Sequence, residues 1–202
     1  MEDLQAAAQH MNIDDLILDE AAQTVYFADP EMKLDVGAVA KGYATEIVSQ
    51  MLLAGDMPSF IISAGGNVRM GNPPADGRTK WGVGIQDPDG AVLGLSDIVE
   101  TLYVTSCSVV TSGDYQRYYV VDGKRYHHII DPDTLWPAAY YNGVTVLCPD
   151  SGMADCLTTA LFCMPLEEGQ KLVESLDGVE AMWCTPDKQA ATSSGWDSHL
   201  KK

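Results

Sequence analysis

The alternation of apolar and polar positions divides the chain into many short strands with a few helices between them. Residues 13–19 and 24–28 run or alternate apolar around the polar break Glu20-Ala21-Ala22-Gln23, which predicts a hairpin ending at Ala28-Asp29-Pro30. The residues before it, from Met1-Glu2-Asp3-Leu4, begin as if already inside a helix. Lys33-Leu34-Asp35-Val36-Gly37 then leads into a helix over roughly 38–54. Val39, Tyr43, Ile47 and Met51 give this helix one apolar face, and Gly55 stops it. A short strand at 59–63 ends in the turn Ala64-Gly65-Gly66-Asn67. Strands at 68–70 and 81–85 follow, separated by a Pro/Gly-rich loop over 71–79, with another loop around 87–91.

Residues 98–104, 108–111, 117–121 and 125–130 read as sheet, with Asp122-Gly123 as one of the turns. After the loop 131–141 comes a strand at 144–148, broken by Pro149. Ser151 is positioned to cap a helix of about 151–164 that carries Met153, Leu157, Ala160, Leu161 and Met164 on one face. A second helix over about 166–176, a strand at 179–184 and a polar tail at 186–202 complete the chain. Strands in antiparallel groups with helices between them predict an α+β fold: a mixed, largely antiparallel sheet with a few packed helices, in a single domain over 1–202.

Composition narrows the function. A chain of 202 residues, 46% hydrophobic, builds one good core, and no apolar run has membrane-spanning length. No basic-then-apolar signal or anchor pattern is visible at the N-terminus. The net charge of −17, from 29 acids against 12 Lys and Arg, repels phosphate backbones and argues against nucleic acid as a partner. A small anionic ligand needs local compensation from a metal ion, a lysine or helix N-termini. The five cysteines form no short-spacing metal motif. Cys148, Cys156, Cys163 and Cys184 fall in apolar patterns and read as small buried hydrophobes.

Candidate chemistry gathers in four segments. Ser112-Gly113-Asp114-Tyr115 is followed by Arg125-Tyr126-His127-His128-Ile129-Ile130-Asp131-Pro132, which holds two of only four histidines. In a strand His127 and His128 point to opposite faces, so one of them at most serves a given pocket. Asp35-Val36-Gly37-Ala38-Val39-Ala40-Lys41-Gly42-Tyr43-Ala44 puts backbone N–H groups and a lysine at a strand-to-helix junction. It reads either as an anion site or as a capped tight turn with Lys41 in solvent. Gly65 and Gly66 let a ligand approach the backbone, or simply make a hairpin. Asp155 and Thr159, four apart on a helix, share a face. They suit Mg²⁺, or are a solvent-facing Asp and a Thr bonded to its own helix. His10 and His199 read as solvated.

In order along the chain, four motifs resemble the ApbE family of flavin transferases (FAD:protein FMN transferases). They are Asp35 to Ala44; Ser63-Ala64-Gly65-Gly66-Asn67-Val68-Arg69; Thr111 to Tyr115 with His128-Ile129-Ile130-Asp131-Pro132; and Val144-Thr145-Val146 with Met153-Ala154-Asp155 and Thr158-Thr159-Ala160. The resemblance implies a T-fold-like architecture and Mg²⁺-dependent transfer of FMN from FAD to a Thr or Ser hydroxyl of an acceptor flavoprotein, with release of AMP. By similarity Asp155, Thr159 and the Ala38 carbonyl hold the metal. Asp35, Lys41 and backbone at Gly65, Gly66 and Ile130 contact FAD, and His128 helps to deprotonate the acceptor hydroxyl. The same site with water as acceptor would be an FAD pyrophosphatase. A third reading is a non-catalytic flavin-binding or partner chain.

The match begins near the middle of the family pattern, so the family's N-terminal part is expected to be absent, and sheet edges exposed by that absence favour a homodimer. Family resemblance also implies the extracytoplasmic face of a bacterial membrane. Where the family commonly has Asp-Pro-x-Thr-Gly, this chain has Asp131-Pro132-Asp133-Thr134-Leu135, and a Leu in place of Gly predicts a loop of different shape.

Overall fold

A computed structural model describes residues 2–88 and 98–201, so most of the loop expected around 87–91 lies outside the described residues. Helix α1 (Glu2–Ala8) precedes the hairpin of β1 (Leu16–Asp19) and β2 (Thr24–Phe27), and α2 (Ala40–Ala54) follows. Then come β3 (Ile61–Ser63), β4 (Asn67–Met70), β5 (Trp81–Gln86), β6 (Ile98–Val104) and β7 (Ser108–Gly113). The hairpin of β8 (Tyr118–Val121) and β9 (Lys124–His127) leads to β10 (Gly143–Cys148), α3 (Ser151–Phe162), α4 (Leu166–Glu174), β11 (Glu180–Cys184) and β12 (Ala190–Thr192).

The centre is a six-stranded sheet of order β12-β11-β10-β7-β4-β3, and all pairings among the described residues are antiparallel. Every residue of β10 is buried, because both faces of that strand are covered; this is why it reads as an unbroken apolar run. Val144, Val146 and Cys148 join Ala181 and Trp183 in a core roofed by Leu157, Leu161 and Phe162 of α3 and Val173 of α4. On the opposite face Leu147, Val109 and Met182 pack with Val83 and Ile85 of β5, Leu102 and Val104 of β6, and Trp196. The α+β architecture predicted from the sequence is borne out as helices on one face of the sheet and a hairpin on the other.

Several local expectations are corrected. Helix α2 turns its predicted apolar face outward: Val39, Tyr43, Ile47 and Met51 are exposed, and Gly42, Thr45, Glu46 and Ser49 are the buried residues. A small, polar face is what lets this helix press against α3 and the charged residues beside it. Met153 is likewise exposed, off the face that buries Leu157 and Leu161. Cys156 is exposed rather than buried, and Cys163 and Cys184 are half-buried; none of the five cysteines is in a disulfide. The segment 186–202 is more than a tail, since β12 pairs with β11 and Trp196 is fully buried with its indole N–H on Glu100. No described helix is long and apolar enough to cross a membrane.

Leu135 gives the clearest correction. It adopts φ +59°, the left-handed conformation of a glycine, so the loop keeps a glycine's shape despite the Leu. Asp131 holds it there: its carboxylate accepts the N–H of Asp133 (2.8 Å), and its carbonyl accepts the N–H of Leu135 (2.9 Å).

Candidate active site

The site is assembled where α2 crosses α3. A Cβ on Gly42 would lie 2.3 Å from the Ser151 carbonyl oxygen and 2.6 Å from Asp155 Cβ, so only glycine allows the two helices this close. The Gly42 N–H is thereby delivered to Asp155 Oδ2 at 2.8 Å. Because that N–H is spent on the carboxylate, it does not close the first turn of α2 onto Ala38. The first ladder bond runs from Tyr43 N–H to the Val39 carbonyl, and among the described residues nothing donates to the Ala38 oxygen. Asp155 is only 5% exposed, and its other oxygen, Oδ1, lies 4.0 Å from Lys41 Nζ. Lys41 in turn donates to the Gly65 carbonyl (3.0 Å).

The backbone before α2 is fixed by Asp35, whose Oδ1 accepts the Gly37 N–H at 2.7 Å in a turn closed by the side chain. Gly65 and Gly66 both have positive φ, +56° and +86°, and together form the turn between β3 and β4. Behind Asp155 runs a chain of hydroxyls: Ser112 Oγ donates to Thr158 Oγ1 (2.9 Å), which donates to the Asp155 carbonyl (2.8 Å). A buried charged cluster ties α2 to β4 and to the start of α3. Glu46 accepts from Arg69 Nε (3.0 Å) and from the Ser151 N–H (2.9 Å), while Ser151 Oγ donates to Asn67 (2.8 Å). Burial pushes the Glu46 carboxyl up, but the Ser151 N–H, Arg69 and Gln50 together hold it below the usual carboxylate range.

The two histidines divide as the strand geometry predicts. His127 is buried, edge-on to Phe162, with Nε2–H donating to the Ala138 carbonyl (2.9 Å) and Nδ1 accepting from the Ile129 N–H (3.3 Å). Burial lowers its pKa, with the Ala138 carbonyl opposing, and both ring contacts are those of the neutral tautomer. His128 is exposed, and its Nδ1 lies 3.1 Å from the Arg117 carbonyl. A carbonyl only accepts, so Nδ1 carries the hydrogen and the lone pair of Nε2 is left available as a base.

Asp35, Ala38, Lys41, His128, Ile130, Asp155 and Thr159, all singled out from the sequence, line one cavity of about 690 Å³. Gly65 and Gly66 are not among its lining residues. They meet it indirectly, Gly65 through Lys41 and Gly66 beside the Gln116 side chain. Ser112, Gly113, Gln116, Arg117 and Ile129 also line the cavity. The sequence reading singled out Ser112 and Gly113 as a motif without giving them a role. It gave no signal for Gln116 and Arg117, which enter the site because the chain turns out of β7 there.

The donor set can be tested for a metal. No group of three His, Cys, Asp or Glu side chains able to hold one is found among the described residues. One carboxylate, one hydroxyl and one unpaired carbonyl oxygen remain, all hard donors. They fit Mg²⁺, which takes few protein ligands and completes its shell with water and phosphate oxygens, rather than zinc.

Comparison with known proteins identifies the family. The family model described as "ApbE family" matches residues 1–183. The chain is 39% identical over 183 residues to the FAD:protein FMN transferase of Treponema pallidum, covering 87% of this chain and 50% of that protein. It is 33% identical over 193 residues to the enzyme of the same name from Klebsiella pneumoniae, covering 95% of this chain and 58% of the relative. The chain thus spans about half the length of these curated relatives. Among solved structures, the ApbE protein of Thermotoga maritima superposes with a TM-score of 0.88 at 33% identity, over 100% of this chain and 64% of the other. The flavin transferase ApbE of Vibrio cholerae superposes with a TM-score of 0.81 at 29% identity, over 98% of this chain and 62% of the other. Family match, sequence identity and overall superposition coincide, and the chain belongs to the ApbE family.

Proposed function

We propose that this chain carries the catalytic site of a flavin transferase that moves FMN from FAD to a Thr or Ser hydroxyl of an acceptor protein and releases AMP. The supporting observation is the convergence of Asp155, Thr159, the free Ala38 carbonyl and Lys41 in one cavity with His128. The acceptor oxygen forms a bond to the FMN phosphorus as the phosphorus–oxygen bond to the AMP phosphate breaks. The acceptor proton passes to Nε2 of His128, whose tautomer is held by the Arg117 carbonyl.

Phosphoryl transfer of this kind asks for positioning and charge neutralisation more than for covalent help from the protein. Asp155, Thr159 and the Ala38 carbonyl would hold Mg²⁺, which supplies Lewis-acid neutralisation of the diphosphate. Lys41 adds a cation beside Asp155, and Asp35 orders the backbone entering α2. Together these offset the −17 charge that would otherwise repel the substrate.

The test is incubation with FAD, Mg²⁺ and a threonine-bearing acceptor. Transfer gives a fluorescent protein band and AMP; free FMN with AMP and no band would show water as the acceptor instead. Asp155→Asn keeps an oxygen for the Gly42 N–H but removes the charge, and is expected to cost at least 100-fold in rate with little change in melting temperature. His128→Gln is expected to slow transfer by about 10²–10⁴-fold, the range for losing a general base, while FAD binding persists. Equal loss of FAD binding in both variants would refute these assignments.

A further inference from the structure

The hairpin β8–β9 leaves the site at Arg117 and returns to it at His128. Its turn, Asp122-Gly123, has φ +51° and +76°, the mirror-image turn that matches strand twist. Such a turn makes Val121 and Lys124 a hydrogen-bonded pair, and alternation along the register makes Tyr119–Tyr126 and Arg117–His128 bonded pairs as well. The His128 N–H does donate to the Arg117 carbonyl (3.2 Å). It follows that the N–H and C=O groups of Tyr118 and Val120 point away from β9, along the outer edge of β8. Among the described residues no strand pairs with that edge.

Side-chain parity gives the second half. Arg117, Tyr119 and Val121 lie on the same face of the hairpin as His128; Tyr118 and Val120 lie on the other, with His127. All four residues of β8 are exposed, Tyr119 at 81% and Val120 at 62%. The span 117–128 carries Arg117, Lys124 and Arg125 against one acid, Asp122; with Arg125 paired to Asp114 (3.0 Å), the hairpin still keeps a small excess of positive charge in a chain of net charge −17. An edge that is unpaired, apolar, locally cationic and continuous with the candidate base is suited to a polypeptide.

We propose that the outer edge of β8 takes up an extended segment of the acceptor polypeptide as a third strand, pairing with Tyr118 and Val120 and presenting its hydroxyl side chain on the His128 face. The added strand would run about 4.8 Å from β8. The His128 ring already reaches across to the Arg117 carbonyl at the start of β8, toward this strand. The proposal rests on the transferase reading of the site and adds how the acceptor is recognised.

The experiment uses a library of dodecapeptides, each with one central threonine, offered with FAD and Mg²⁺; labelled peptides are read by flavin fluorescence and free FMN is measured alongside. Val120→Pro removes the outward N–H without touching a bond to β9, and Val120→Ala keeps it. The ratio of peptide labelling to free FMN is expected to fall at least ten-fold in Val120→Pro relative to Val120→Ala. N-methylation of a labelled peptide, one residue at a time, is expected to abolish labelling at alternate positions.

An unchanged ratio overturns the proposal, as does uniform sensitivity to N-methylation. If Val120→Pro loses both products, the N-methyl series decides: alternation supports edge pairing and its absence overturns it. Free FMN from the wild-type protein without any labelled peptide also overturns it, because an extended segment would not suffice. So does sedimentation as a dimer that Val120→Pro dissociates, since the edge would then belong to a second copy. No FMN from FAD at all would instead sink the transferase reading itself.

Discussion

Substituting Gly42 by Ala tests the closest contact in the site. The new Cβ would sit 2.3 Å from the Ser151 carbonyl oxygen and 2.6 Å from Asp155 Cβ, so α2 and α3 must part by about 1 Å to reach ordinary contact distances. Overpacking of this kind costs about 1–3 kcal/mol. Separation also lengthens the Gly42 N–H bond to Asp155 Oδ2, and a hydrogen bond to a charged group is worth about 1.5–3 kcal/mol. Ala is the better helix former, returning about 1 kcal/mol. The net loss is about 1.5–5 kcal/mol, or roughly 3–20 °C in melting temperature for a domain of this size.

The functional consequence is separable from the stability loss. With its N–H partner withdrawn, Asp155 is no longer fixed at the cavity wall, and on the proposed transferase reading half-saturation of activity by Mg²⁺ is expected to move at least ten-fold upward. Thermal unfolding and a Mg²⁺ titration of turnover below the melting range check both parts. A Gly42→Ala protein that melts within 1 °C of wild type with unchanged Mg²⁺ dependence would refute the claim that helix proximity organises the ligands.

Two further outcomes follow from the loop and the buried histidine. Leu135→Gly relieves a left-handed backbone that costs a non-glycine residue about 1–2 kcal/mol, offset by the greater freedom of Gly in the unfolded chain and by loss of the half-buried Leu side chain. These terms nearly cancel, and a change of less than about 1 kcal/mol is expected, read as a urea midpoint close to that of wild type; a loss of about 2 kcal/mol or more would show that the loop needs the Leu side chain. His127 is held below its ordinary value of 6.5 by burial, so the unfolded chain binds the extra proton first, and stability falls as pH drops below about 6.5. The slope from this one group is at most about 1.4 kcal/mol per pH unit. His10, raised by its bond to Asp29, works in the opposite direction, so the comparison is with His127→Gln between pH 5 and 7.5. A variant with the same pH slope as wild type would refute the assignment.

The strands of the central sheet were legible because burial there is hydrophobic. The apolar run at 144–148 is β10, covered on both faces, and the alternation of Val109 with Val110 and of Met182 with Trp183 divides the two cores. Helix α2 was legible as a helix and misleading as an amphipath. Its stripe Val39, Tyr43, Ile47 and Met51, one residue in four, is the stronger apolar pattern, yet the helix buries Gly42, Thr45, Glu46 and Ser49, which follow an i, i+3, i+4, i+7 spacing of their own. Hydropathy cannot see that face, because what holds it is an ion pair to Arg69 and backbone contact with α3 rather than transfer from water. Trp196 is a similar case: one aromatic in a polar segment fills a core whose walls come from distant strands.

The candidate site was legible through the four motifs of the family resemblance rather than through spacing. Taken alone, Lys41 read also as a solvated lysine, and Asp155 with Thr159 as a solvent-facing Asp and a Thr bonded to its own helix; Asp35, Ala38, Lys41, Asp155 and Thr159 line one cavity. What the sequence does not display is how one atom group does double duty. The Gly42 N–H, by leaving the helix ladder for Asp155, fixes a carboxylate and leaves the Ala38 carbonyl without a donor among the described residues, and both residues line the same cavity. A side chain at position 42 would undo both effects together. The glycine in Ala40-Lys41-Gly42-Tyr43 therefore shapes the proposed metal site as much as Asp155 does, although it would supply no ligand atom.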